Sequence, residues 1–171
     1  MGEVFKEQLV KRASNSKDTA KRIGIIVLAV LILFICTIIP VIQSFLMFIV
    51  VGVAFGAFFL MSLLNVEYEY AFTNGELDID IIYNRSRRKR AFSGIVKDFE
   101  VMAHVDDKAY AGDFHNVTEI KDFSSGVVNV NTYAFLSTYK GKRLKIIIEP
   151  NDMMLKAFST VLTPRKLHKK L

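Results

Sequence analysis

An α+β membrane protein is the fold class this sequence predicts: a two-helix transmembrane hairpin, then an antiparallel β-barrel or bent sheet, then an amphipathic helix. Three observations predict it. Residues 23–64 contain no Asp, Glu, Lys, Arg or His. Beyond Asn65 apolar and polar residues alternate, the period of a half-buried strand. Near the C-terminus the apolar spacing changes again, to the three-and-four pattern of a helix.

The uncharged run is long enough for two crossings, since about 20 residues at about 1.5 Å rise span the hydrocarbon core. Pro40 and the pair Gln43–Ser44 divide it into spans at residues 23–42 and 45–64. Backbone inside lipid must satisfy its own hydrogen bonds, and neither half alternates, so both read as helices. Pro40 suits the last turn of the first span. Lys11, Arg12, Lys17, Lys21 and Arg22 precede that span and the turn carries no charge, so the N-terminus is expected in the cytoplasm. A hairpin brings the chain back, giving a multi-pass protein of the cell membrane with both termini cytoplasmic. A secretory signal fits poorly, because the run far exceeds the usual apolar core of a signal and no small-x-small cleavage site follows.

Residues 1–22 read as an N-terminal cytoplasmic segment. Val4, Phe5, Leu9 and Val10 recur at roughly helical spacing, so residues 2–13 are expected as a short amphipathic helix at the interface or as a partly disordered tail. Ser14-Asn15-Ser16 then caps the first span, with Asp18 in its first turn. In the second span, Gly52 and Gly56 form a GxxxG pattern that lets helix backbones approach closely. The first span is its expected partner and a second copy of the chain the other. Cys36, the single cysteine, excludes an intramolecular disulfide and reads as an apolar packing residue.

Residues 66–164 carry the soluble domain. Tyr68, Tyr70 and Phe72 alternate with Glu67, Glu69 and Thr73, Asn74-Gly75 forms a hairpin turn, and Leu77, Ile79 and Ile81 alternate with Asp78 and Asp80. Further strands are expected at residues 91–96, 99–105, 117–123, 127–130, 132–139 and 143–148, the last two joined across Lys140-Gly141-Lys142. Pro150 and Asn151 lead into a helix carrying Met153, Met154, Ala157, Phe158, Val161 and Leu162 on one face, and Pro164 stops it. Several short strands closed by one helix suggest a strongly bent sheet or small barrel whose open end the helix covers. Residues 165–171 form a basic tail.

The uncharged hairpin, Tyr68-Glu69-Tyr70-Ala71-Phe72-Thr73-Asn74-Gly75-Glu76-Leu77, the Arg/Lys-rich segment and the closing helix resemble bacterial membrane proteins in which a two-span hairpin leads into a pleckstrin-homology-like (PH-like) domain. The opening Val4-Phe5-Lys6-Glu7-Gln8-Leu9-Val10-Lys11 is similar to that of small bacterial membrane proteins. The resemblance covers nearly the whole chain and implies an anchored, non-catalytic binding or scaffolding module with no established active site. Phosphoinositide-binding PH domains use a basic loop after the first strand, and here that loop is only Asn74-Gly75, so that site is not carried over.

The basic run lies one strand later, at Arg85, Arg87, Arg88, Lys89 and Arg90. The first strand leaves the bilayer and the second comes back, so this run is expected as a loop returned toward the membrane. There each cation near anionic headgroups contributes about 1 kcal/mol. Lipid-headgroup contact and a solvated charged loop both fit the pattern. Arg165, Lys166, Lys169 and Lys170 add to either. The net charge of +6 divides evenly about the apolar run, which suits a membrane surface and argues against nucleic acid as a partner.

Catalysis has little to stand on. His104, Asp106, Asp107, Asp113 and His115 form the densest polar cluster, a hydrolase or metal-site candidate, and a loop between strands accounts for them equally well. No Walker, zincin, nucleophile-elbow or C-x-x-C motif occurs. The expectation is therefore a non-enzyme without catalytic residues, cofactor, metal or identified small-molecule substrate. Its partners are membrane lipids and either a membrane protein or a second copy, with a regulatory subunit of a larger membrane complex as the alternative role.

Overall fold

A computed structural model describes residues 5–168, which fall into two compact units: an apolar helical unit at residues 14–66, and a β unit that takes residues from both sides of it.

In the helical unit, α1 runs Ser16–Ile38, α2 Pro40–Gln43 and α3 Leu46–Ser62. Helix α1 starts where Asp18 accepts a bond from the backbone N–H of Asn15, at 3.4 Å. It ends at Ile38, because a residue preceding proline is driven out of the helical region, and Ile39 is indeed extended. Pro40 thus opens α2 rather than lying in the last turn of the first span. The Gln43 side-chain amide donates to the Thr37 carbonyl at 2.8 Å, a group left over where α1 breaks. Arg22 donates to the Asn65 side-chain oxygen at 3.1 Å, so the start of α1 lies beside the end of α3 and the two run antiparallel.

Helix α1, at 23 residues, is long and apolar enough to cross a membrane. Helix α3, at 17, is apolar throughout but shorter than the usual span, so a second crossing over residues 45–64 is not established by helix length. Neither helix is a core helix. Phe34, Phe48 and Phe55 are each 65% exposed or more, and no apolar residue of α1 or α3 is buried.

The β unit corrects the reading of the N-terminus. Residues 5–11, expected as a helix or tail, form strand β1 (Phe5–Lys11), which pairs antiparallel with β2 (Val66–Thr73) from Phe5 opposite Thr73 to Lys11 opposite Glu67. Residues 2–4 of the expected helix lie outside the described part. The alternation of Gln8 and Val10 with Leu9 and Lys11 suits a strand once β2 supplies its partner, and tertiary pairing overrides a weak helical moment. β3 (Glu76–Tyr83) and β4 (Arg87–Ile95) complete a sheet of order β1-β2-β3-β4, with Asn74 and Gly75 both at positive φ in the first hairpin turn.

The second sheet joins β5 (Met102–His104), β6 (Glu119–Asp122), β7 (Tyr133–Tyr139), β8 (Lys142–Ile148) and β9 (Leu167–His168) in the order β6-β8-β7-β5-β9. It is mixed rather than purely antiparallel, since β6 with β8 and β5 with β9 run parallel. Residues 127–130, expected as a strand, form an irregular exposed loop. Helix α4 (Asp152–Val161) is capped by the Asn151 side chain, which accepts from the Met154 N–H at 2.9 Å.

Aromatic packing builds the core. Phe92 of β4 meets Phe135 of β7 edge-on at 5.6 Å, Phe99 stacks on Phe135 at 4.0 Å, and Phe72 of β2 meets Phe158 of α4 at 5.5 Å. These contacts fasten both sheets and the closing helix to one another. The Gln8 side chain extends the tie, donating to the Glu149 carbonyl and accepting from the Asn151 N–H, each at 2.7 Å. The buried Tyr70 hydroxyl donates to the Phe123 carbonyl at 2.5 Å and accepts from the Glu149 N–H at 3.3 Å.

Candidate functional site

The basic run is a strand, not a loop. Arg87, Arg88, Lys89 and Arg90 open β4, and only Asn84, Arg85 and Ser86 turn, with Asn84 and Arg85 both at positive φ. The register shifts after Ile79: Ile79 faces Phe92 and Asp80 faces Arg90, leaving Ala91 as an extra residue. That bulge lets Phe92 enter the core while Arg88 and Arg90 turn to the opposite face.

On that face the arginines meet a row of carboxylates from β2 and β3. Arg85 reaches Glu67 at 3.3 Å, Arg88 reaches Glu69 at 2.5 Å, and Arg90 reaches Asp78 at 2.6 Å and Asp80 at 2.5 Å. Glu69 is buried, and desolvation raises its carboxyl above the ordinary range, Arg88 opposing the shift and Glu7 adding to it. Asp80 raises the Arg90 guanidinium above its ordinary value. Three of the five expected lipid contacts are therefore at least partly neutralised within the sheet. Arg87 and Lys89 point the other way by strand alternation, are exposed, and form no ion pair among the described residues.

The polar loop does not assemble. His104 is buried in β5, its Nε2 2.9 Å from the Asn129 carbonyl while its Nδ1 accepts from the Asp106 N–H at 3.2 Å. Both ring nitrogens are thus committed, and the imidazole is a structural bridge between β5 and the loop carrying Asn129. Asp107 binds the Ala109 N–H at 3.0 Å as a turn former. No group of three or more His, Cys, Asp or Glu side chains able to hold a metal occurs among the described residues.

The glycine face behaves differently from its expected role. A Cβ placed on Gly52 or Gly56 meets no heavy atom within 4 Å, so this face does not pack against α1. Of the basic tail, Lys166 donates to the Lys97 carbonyl at 2.9 Å, and Lys169 and Lys170 lie outside the described residues.

What sequence reasoning missed is the pair formed by β1 and the loop after β6. The Ala13 N–H donates to the Ser125 carbonyl at 2.8 Å, and Ser125 donates to the Glu149 carboxylate at 2.6 Å. Alternation across residues 5–11 was the only signal for β1, and it competed with an equally short helical pattern.

Two bent sheets closed by a C-terminal helix, with a membrane-length helix between the first two strands, define a PH-like module of the α+β class. The chain belongs to the Bacterial PH-like domain (DUF6106) family, whose model matches residues 2–169. That family is one of unknown function. No curated protein and no solved structure matches the chain.

Proposed function

We propose that the protein is a membrane-anchored, non-catalytic binding module, with two spans, both termini in the cytoplasm, and its PH-like domain held at the inner leaflet in contact with anionic headgroups. The observation that carries this reading is the β1–β2 ladder. One strand precedes the apolar segment and the other follows it, which supports a topology with both ends of the segment on the same side of a membrane. A crossing by α1 then requires a return. Helix α3 with Phe45, Leu63 and Leu64 supplies a 20-residue apolar stretch for it. The same ladder speaks against α1 as a discarded signal, since cleavage after it would remove an edge strand. The five cations at residues 11–22 favour a cytoplasmic N-terminus.

Headgroup contact rests on Arg87 and Lys89, with the exposed Arg85 at the turn. Glu67, which binds Arg85, follows Leu64 by three positions, a reach of about 10 Å along extended chain. The turn is therefore tethered to the first residue of the β unit that follows the apolar segment. To test the contact, residues 14–65 are replaced by a short Gly-Ser linker that keeps β1, and sedimentation with phosphatidylglycerol-containing vesicles is measured at low and high salt. Binding should fall with salt. The double variant Arg87→Gln, Lys89→Gln should weaken it by about 30-fold, as two cations at about 1 kcal/mol each imply. Binding that ignores both salt and substitution would overturn the contact.

A second reading, a regulatory subunit or a homodimer joined through the spans, is favoured by the open Gly52/Gly56 face. Crosslinking in native membranes from a cysteine placed at Val53 should capture one defined partner, and an unchanged monomer band would remove this reading.

A further inference from the structure

We infer that the loop Val127-Val128-Asn129-Val130 inserts its valine side chains into the headgroup–acyl boundary of the inner leaflet, an inference that rests on the docking of the domain proposed above. The three valines are 59%, 58% and 75% exposed, although β-branched apolar residues ordinarily go inward. Their exposure does not come from an untethered loop. The Asn129 N–H donates to the Thr132 hydroxyl at 2.8 Å, the Asn129 carbonyl lies 2.9 Å from the buried His104 ring, the Asn129 side-chain oxygen accepts from the Asn131 N–H at 2.8 Å, and the Gly126 N–H donates to the Ser124 hydroxyl at 3.0 Å. The backbone is held from the inside, by the otherwise unassigned His104 among others, and the apolar tips are held outward.

Position selects the occupant. Ser125, two residues before the loop, accepts from the Ala13 N–H, and Ala13 precedes membrane-length α1 by three positions. The neighbouring Phe123 packs on Tyr68 of β2 at 5.6 Å, close to Glu67 and the Arg85 turn it binds. Within the β unit, the valine loop and the basic turn thus share the end of the β1–β2 ladder from which the chain departs into its apolar segment. Residues 123–139 carry no charged side chain. Apolar tips flanked by exposed Arg85, Arg87 and Lys89 match the two halves of a bilayer interface, acyl boundary and anionic headgroup.

The test uses the full chain, with Cys36→Ala, in phosphatidylcholine–phosphatidylglycerol vesicles, and an environment-sensitive fluorophore on one introduced cysteine at a time. Val128→Cys probes the loop, Ser86→Cys the basic turn, and Lys142→Cys the start of β8, paired with Tyr139 at the far end of β7, about 20 Å away along that strand at about 3.3 Å per residue. Insertion predicts blue-shifted emission at position 128, quenched by brominated lipid and shielded from iodide, with neither effect at 142. Lipid quenching at 86 with iodide-accessible, water-like emission at 128 would leave the docking standing and overturn insertion. Loss of lipid contact at both 86 and 128 would overturn both readings. Equal lipid quenching at 128 and 142 would overturn insertion in favour of indiscriminate adsorption, and a probe at 128 shielded from iodide and lipid alike would overturn it in favour of a protein cover.

Discussion

The helical unit and the β unit are both rich in large apolar side chains, and they dispose of them in opposite ways. In the β unit Phe72, Phe92, Phe99, Phe135 and Phe158 are almost wholly buried, in contact across sheets and helix. In the helical unit Phe34, Phe48, Phe55 and Phe58 are mostly exposed. Water would not tolerate the second arrangement, since burial removes apolar area at about 25 cal/mol per Å². The difference teaches that the β unit carries its own apolar core and the helical unit does not, the arrangement that the proposed membrane placement of the helices requires. The β unit must therefore hold together without the helices, while depending on a strand that precedes them.

The strongest way to break this comparison is to remove one part at a time. Replacing residues 14–65 with a linker should leave a cooperative thermal transition by circular dichroism. Removing residues 1–13 as well should abolish it, because β1 takes with it the buried Val10 and both Gln8 bonds, a loss comparable with the about 5–15 kcal/mol that holds a typical domain together. A surviving transition would mean that β1 is dispensable. Next in size, Phe135→Ala should cost the β unit about 3–5 kcal/mol in denaturant unfolding, whereas Phe55→Ala on α3 should leave that unit within about 0.5 kcal/mol. Similar costs for the two would erase the distinction between the units.

Smaller again is Gln8→Ala, which leaves the Glu149 carbonyl and Asn151 N–H without this partner and should cost about 1–3 kcal/mol. The smallest effect is a pH dependence. Glu69 has its carboxyl raised in the folded state, so the fold holds that proton more tightly than the unfolded chain does. Its contribution is most favourable below the ordinary carboxylate range and is lost as pH rises through the raised value. The stability of Glu69→Gln relative to the wild type should accordingly improve across that window and then level off. A difference that stays flat with pH would show that Arg88 fully compensates the burial.

The hairpin of β2 and β3 was legible because alternation and Asn74-Gly75 are local signals that agree. The helix α4 and the break at Pro40 were legible for the same reason. β1 was not, because its partner lies more than fifty residues away across the apolar segment, and no local pattern encodes a non-local pair. The basic run misled because the bulge at Ala91 shifts the strand phase, so that Arg88, Arg90 and Phe92 share parity in sequence but not a face. Of the candidate site, the residue types were visible and their pairing was not: Glu67, Glu69, Asp78 and Asp80 read as solvent-side residues of strands, yet they neutralise much of the positive run.

The position of β1 ahead of the helices also imposes a schedule on biosynthesis. At about 5–20 residues per second, the 54 residues between Lys11 and Val66 take about 3–11 seconds to make. During that interval β1 has emerged and has no strand to join. Gln8 waits longer still, because Glu149 and Asn151 lie 141 and 143 residues beyond it in the chain. Under the proposed two-span topology, completion of the sheet would report that the chain has come back to its starting side, and a molecule that crossed only once would be left with an orphaned β1.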